Sequence, residues 1–266
     1  RRRTLFTAYN RMTEAARLLS RIELSRDALA KAEALVAAAP PAEDCPPLLA
    51  LAIGDTQIIR SRVLMREGDQ RGALTSLERA TSFLERAVIE FPDEAAVRMS
   101  LASVLHRAAD IHASLREHDS ATTQYRAGIA VLHSGIARAP GHRNFTKRQA
   151  DIELALADCL LVAGVEGEAQ MSLEAAARNY AAIGLSNQDS RTVWLQSIRC
   201  LQMLGKLYAD QGRRVDAVSA YKKSLALLED VKPRLGTRPQ FAEYSAQSSD
   251  ALEKLSLQRP EPPVTK

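Results

Sequence analysis

The chain has 266 residues, 46% hydrophobic and 26% charged, with a formal net charge of +4. That is enough to bury a core, and no apolar run of about 18 residues interrupts it, so a membrane span within the chain is excluded. Residues 1–40 carry eight Arg/Lys against four Asp/Glu and the rest of the chain balances, so the basic excess marks an N-terminal segment and not a nucleic-acid-binding face.

Only 12 Gly and 11 Pro occur, and the abundance of Ala, Leu, Arg and Glu favours helices over β-turns. In chain order, five alanines stand in a similar turn-then-helix context: Ala28, Ala73, Ala121, Ala169 and Ala217, at intervals of 45, 48, 48 and 48 residues. Twelve residues before each stands a small residue: Ala16, Ser61, Ala109, Ala157 and Gly205. Nine before stand Leu19, Leu64, His112, Leu160 and Tyr208, and four after stand Ala32, Leu77, Tyr125, Leu173 and Tyr221. Seven after, Leu35, Ala80, Gly128, Ala176 and Ser224 are again mostly small. Small residues let two helix backbones approach, and large ones at helical spacing fill the space beside them. Each unit therefore reads as a helical hairpin.

The predicted units lie near 5–46, 47–92, 93–140, 141–188 and 189–236. Pro47, Pro92 and Pro140 stand at three of the ends, where a missing N–H is harmless. In the last unit the first helix is expected from Ser190 to Ala209 and the second from Arg214 to Val231, with Asp210-Gln211-Gly212 as the turn. Equivalent turns are Glu67-Gly68-Asp69, Glu117-His118-Asp119 and Ala163-Gly164. A further helix over 238–258, with Phe241, Tyr244, Ala251, Leu252 and Leu255 on one side, caps the array, and the Pro-rich 259–266 reads as a disordered tail.

Leu201-x2-Leu204-Gly205-x2-Tyr208, followed by Ala217, Tyr221 and Ser224, resembles the tetratricopeptide repeat. The other units depart from it, with Arg60 and Ser61 in place of Leu-Gly and His112 in the Tyr column. The resemblance implies an all-α, right-handed α-solenoid of about five hairpins with a 48-residue period plus a C-terminal capping helix. The usual repeat is 34 residues, so each helix is expected to be one to two turns longer.

No Gly-rich phosphate loop, GxSxG or HExxH occurs, so no enzymatic activity, cofactor or metal is expected. His106 and Asp110 lie four apart, a spacing open to a metal or an ion pair and read here as a surface contact. His112 reads as a core histidine with a hydrogen-bond partner. Trp194, Phe145 and Phe91 fall at unit junctions, where packing is the default. Cys45, Cys159 and Cys200 are three, without metal spacing, and are read as buried or loop thiols.

The face expected to line the concave side is eleven residues before each anchor: Arg17, Arg62, Asp110, Asp158 and Lys206. Beside it run Asn10, Asp55, Ser103, Asp151 and Arg199, and Thr13, Ile58, His106, Leu154 and Gln202. Arg17, Arg62, His106, Asp110, Asp158, Arg199, Gln202 and Lys206 are therefore the candidate binding residues for an extended protein or peptide partner. The opposing reading makes these solvated side chains and internal ion pairs, Asp158 with Arg62 or Lys206 for example. Some tetratricopeptide domains hold a peptide carboxylate with Lys and Asn; here the columns hold Arg, Asp and only Asn10, so that specificity does not transfer.

The 48-residue interval, the endings Phe91-Pro92-Asp93 and Ala139-Pro140-Gly141, and Gly68-Asp69-x2-Gly72-Ala73-Leu74 are similar to repeats that follow the catalytic domain and single membrane span of some bacterial serine/threonine protein kinases. That resemblance implies a fragment of a longer chain, with Arg1-Arg2-Arg3 just past a span, acting as an extracytoplasmic (periplasmic) sensor or docking domain. The alternatives are a cytoplasmic adaptor or regulator and a self-association scaffold; homo-oligomers are a further expectation, and nucleic acid is not an expected partner.

Overall fold

A computed structural model describes residues 8–13, 22–41, 44–186, 191–235 and 239–257. Among them no strand occurs. Helix α1 covers residues 8–13, followed by α2 (Ile22–Ala37), α3 (Pro47–Glu67), α4 (Gln70–Glu90), α5 (Ala95–Ser114), α6 (His118–Arg138), α7 (Arg143–Val162), α8 (Glu166–Ser186), α9 (Arg191–Asp210), α10 (Arg214–Leu235) and α11 (Pro239–Leu257). The chain divides into two compact units, Arg1–Arg148 and Gln149–Lys266.

All five anchor alanines, Ala28, Ala73, Ala121, Ala169 and Ala217, have zero solvent exposure. Opposite them, Ser61, Ala109, Ala157 and Gly205 are buried as well. A small side chain at each crossing, no larger than that of serine, lets the two helices of a hairpin approach closely. The following column, Ala32, Leu77, Tyr125, Leu173 and Tyr221, is buried throughout, and each Leu there contributes about 1.5–3 kcal/mol relative to exposure.

In the first unit α3 pairs with α4 and α5 with α6, and the hairpins stack through α4 on α5 and α3 on α5. One continuous core runs through them, with Ile53, Leu77, Leu84, Leu101 and Val104 near its middle. In the second unit α8 packs on α9 and α9 on α10, around Leu154, Leu173, Tyr180, Val193 and Leu204. Trp194 and Phe145, expected at junctions, are buried there, against Gly184 and Gly135 respectively. Helix α11 lays Phe241 against Trp194, Ile198, Leu228 and Val231, and Leu255 against Ala217 and Tyr221. The second unit's last hairpin is thus covered by the side of α11 bearing its large apolar residues.

The turns share one backbone device five residues before the anchor. Gly68, Gly164 and Gly212 adopt φ of +84°, +76° and +72°, and Arg116 takes the same place with φ +61°. In the left-handed conformation the chain leaves one helix and enters the next within a few residues, its N–H groups bonding back to the departing helix; Asp69 N, for instance, donates to Leu64 O at 2.9 Å. The expected turn at Glu117-His118-Asp119 is therefore corrected to Leu115-Arg116-Glu117, with α6 already begun at His118. Likewise α10 does not stop at Val231 but runs to Leu235 with Pro233 in its last turn. Leu228 and Val231, clamped against Phe241, hold that turn helical despite the lost N–H. Arg17, Ala16, Leu19 and the tail 259–266 lie outside the described residues.

Candidate functional site

The first helix of each hairpin in the first unit carries the columns identified as the inner face, and these helices enclose a cleft of about 660 Å³. Asn10 comes from α1, Asp55, Ile58 and Arg62 from α3, and Ser103, His106 and Asp110 from α5, all lining it. Sequence columns alone missed the rest of the lining: Arg11, Leu48, Leu51, Ala52, Ile59, Arg107 and Arg148. The signal was present along the same face, since Leu48, Leu51, Asp55, Ile58 and Arg62 form one stripe at helical spacing. A neighbouring hollow of about 310 Å³ shares Arg62, Arg107 and Asp110 and adds Arg66.

Hydrogen bonds fix the cleft's polar floor. Thr56 Oγ1 donates to Asn10 Oδ1 at 3.1 Å, tying α3 to α1. Tyr125 donates its hydroxyl to Asp110 Oδ1 at 2.8 Å, and His106 Nε2 lies 3.5 Å from the same oxygen with its ring edge-on to Tyr125. The helix pair expected as a surface contact is thus anchored from α6. Protein atoms crowding Asp55 push its carboxyl above the ordinary range, while Arg62 draws it down. The Asp55 side chain still meets solvent along the cleft, which tempers that rise.

In the second unit the same columns are engaged with neighbouring helices. Arg199 Nη2 bonds Asp158 Oδ2 at 2.7 Å, so the partner of Asp158 on α7 is the arginine of α9 in the next hairpin, one column over from Lys206. Burial raises the Asp158 carboxyl and Arg199 opposes it. Tyr180 donates to Asp151 Oδ1 at 2.8 Å. Gln202 Nε2 donates to Tyr244 O and Ser248 Oγ, each at 2.7 Å, joining α9 to α11. Leu154 is core, and Lys206 is exposed.

His112 sits between hairpins, its Nδ1 2.6 Å from Glu117 Oε2, and Arg71 of α4 bonds Oε1 of the same carboxylate. These hydrogen bonds, His112 first and Arg71 second, hold the Glu117 carboxyl below its usual range. The three cysteines are buried and form no disulfide, and burial pushes Cys45 up to about 11 and Cys200 up to about 12, which leaves these two thiols protonated and unreactive near neutrality.

No protein-family model matches the sequence, and no curated protein matches it. Solved structures do. BtubC (BKLC) from P. vanneervenii is similar over 99% of this chain and 95% of its own, at 14% identity and a TM-score of 0.55. The yeast histone chaperone Hif1 matches 80% of this chain and 98% of its own at 12% identity and 0.55. The apo form of RapI matches 95% and 72% at 9% and 0.51. The fold is an all-helical solenoid of tetratricopeptide-like hairpins. No described helix is long and apolar enough to cross a membrane.

Proposed function

We propose that this chain is a non-catalytic module that binds a protein or peptide in the cleft of its first unit. The observation that carries the reading is that inner helices of successive hairpins bring Asn10, Asp55, Arg62, Ser103, His106 and Asp110 to one open hollow with an apolar wall. Residues far apart in sequence converge there, and a partner laid across them meets several helices at once. Hif1, a scaffold protein recruiting protein complexes to core histones, is an instance of such a use of this kind of fold.

The finer reading is the sensor or docking domain of a bacterial transmembrane serine/threonine protein kinase, on the periplasmic side of the inner membrane. Its support is the similarity of Gly68-Asp69-x2-Gly72-Ala73-Leu74 and of the Pro92 and Pro140 unit endings to such repeats. Catalysis would belong to the parent kinase, outside this chain.

Capture of partners on the immobilised chain from periplasmic and cytosolic extracts tests both levels. Charge reversal at the cleft arginine Arg62 (Arg62→Glu) is expected to lower partner affinity while leaving the helical circular-dichroism melt in place; unchanged affinity counts against the cleft. A partner found only in cytosolic extract supports the adaptor alternative. A concentration-dependent rise in solution mass, with no heterologous partner, supports self-association. About 20 apolar residues directly upstream of Arg1, preceded by kinase motifs, is the outcome the kinase reading requires.

A further inference from the structure

We infer that the partner of the first-unit cleft is an acidic peptide segment, bound extended along α3 with its carboxylates toward the arginines and its apolar side chains on the leucine and isoleucine wall. The inference rests on the cleft-binding reading and adds the chemistry of the occupant. Among the described residues four arginines, Arg11, Arg62, Arg107 and Arg148, line the hollow against two aspartates, and Arg66 extends the basic edge in the adjoining one. They come from four helices, so the excess is assembled by the fold and no single segment carries it. Among the described residues Arg11 and Arg148 make neither ion pair nor hydrogen bond, which leaves their guanidinium donors for an incoming carboxylate.

The apolar part of the lining explains why the occupant is a peptide. Leu48, Leu51, Ile58 and Ile59 line the same hollow, and Leu48 is 44% exposed. This apolar strip and the cationic rim suit alternating acidic and aliphatic side chains. A contiguous phosphate backbone suits it less, because it has no aliphatic groups to lay on that strip, and among the described lining residues no Phe, Tyr or Trp stands to stack a base. From Leu48 to Arg62 the helix rises about 21 Å, the reach of about six extended residues, so the footprint is a short linear segment.

The test is fluorescence anisotropy on the full chain with three probes: a fluorescein-labelled peptide pool of about ten residues randomised over Asp, Glu, Leu and Ala; its counterpart with Lys and Arg replacing the acids; and a labelled thymidine oligonucleotide. The acidic pool is expected to bind at least about tenfold more tightly than the basic pool, with affinity falling as salt rises. The double variant Arg11→Glu, Arg148→Glu is expected to weaken it about tenfold or more, and Asp55→Asn to strengthen it. Should the double variant fail to fold, Asp55→Asn and the salt series still decide. Equal or tighter binding of the basic pool overturns the acidic assignment while leaving cleft binding in place. Tighter binding of the oligonucleotide overturns the peptide assignment. Silence from all three probes overturns the inference; if Arg62→Glu also leaves a captured partner's affinity unchanged, the cleft reading falls with it.

Discussion

The Tyr221 ring of α10 lies so close over Gly205 of α9 that a Cβ placed on the glycine would stand 2.9 Å from two ring carbons. Alanine is the better helix former by about 1 kcal/mol, but the overlap meets a stiff, nearly buried aromatic, and overpacking of this kind costs about 1–3 kcal/mol. Overlap wins: Gly205→Ala is expected to destabilise by about 1 kcal/mol in urea unfolding. In a Tyr221→Leu background the same substitution becomes neutral or stabilising, because the obstacle has gone and the propensity gain remains. Equal effects in both backgrounds would show that the ring does not set the helix separation.

Arg116 holds a φ of +61° where the equivalent turns have glycine. A side chain in that region crowds the following carbonyl at a cost of about 1–2 kcal/mol, part of which glycine returns through its freer unfolded chain. Arg116 is exposed, so little packing is lost with it. Arg116→Gly is expected to stabilise the chain by about 0.5–1 kcal/mol, read as a higher urea midpoint at unchanged slope. A lower midpoint would mean that the arginine makes a contact outweighing its backbone strain.

Those two sites divide what was legible in the sequence from what was not. Ala109, Ala157 and Gly205 mark helix crossings because closeness of two backbones constrains the residue directly, whatever its neighbours. Arg116 left no mark, since a general residue can be forced into the left-handed turn by the hairpins on either side. The inner face was legible as a face: Arg62, His106 and Asp110 line the cleft from two helices. What each polar residue bonds was not. Asp158 and Gln202 belong to the same columns, yet Asp158 meets Arg199 and Gln202 meets α11. Those partners lie more than 40 residues away and are chosen by how the next hairpin stacks, which periodicity does not encode.

Glu153 supplies a pH signature for the second unit. It is 5% exposed, accepts from Gln149 Nε2 at 2.7 Å and from Asn179 Nδ2 at 2.8 Å, and burial still pushes its carboxyl above the ordinary range. A raised carboxyl in the folded state means that the native chain holds this proton more tightly than the unfolded chain. From the ordinary glutamate range near about 4.3 up through the raised native value, stability therefore falls as pH rises. Urea midpoints across that range, compared with Glu153→Gln, are expected to show this downward trend in the parent chain and a shallower one in the variant, where the raised Asp55 and Asp158 remain. Parallel profiles would sink the assignment to Glu153.

Gln202 tests whether α11 is held by hydrogen bonds or by its apolar contacts. Its amide donates to Tyr244 O and to Ser248 Oγ, and Ser248 is fully buried and 3.2 Å from Ser224 Oγ. Removing the amide leaves a carbonyl and a buried hydroxyl short of a donor, at about 1–3 kcal/mol. Phe241 and Leu255 stay seated in either case, so Gln202→Ala is expected to loosen α11 without releasing it. Amide exchange over Pro239–Leu257 should accelerate by roughly tenfold or more, the kinetic equivalent of about 1.4 kcal/mol, while α5 and α6 keep their protection. Uniform acceleration along the whole chain would instead place Gln202 in the global unfolding unit, and no change would leave the hydrophobic contacts of α11 as its sole fastening.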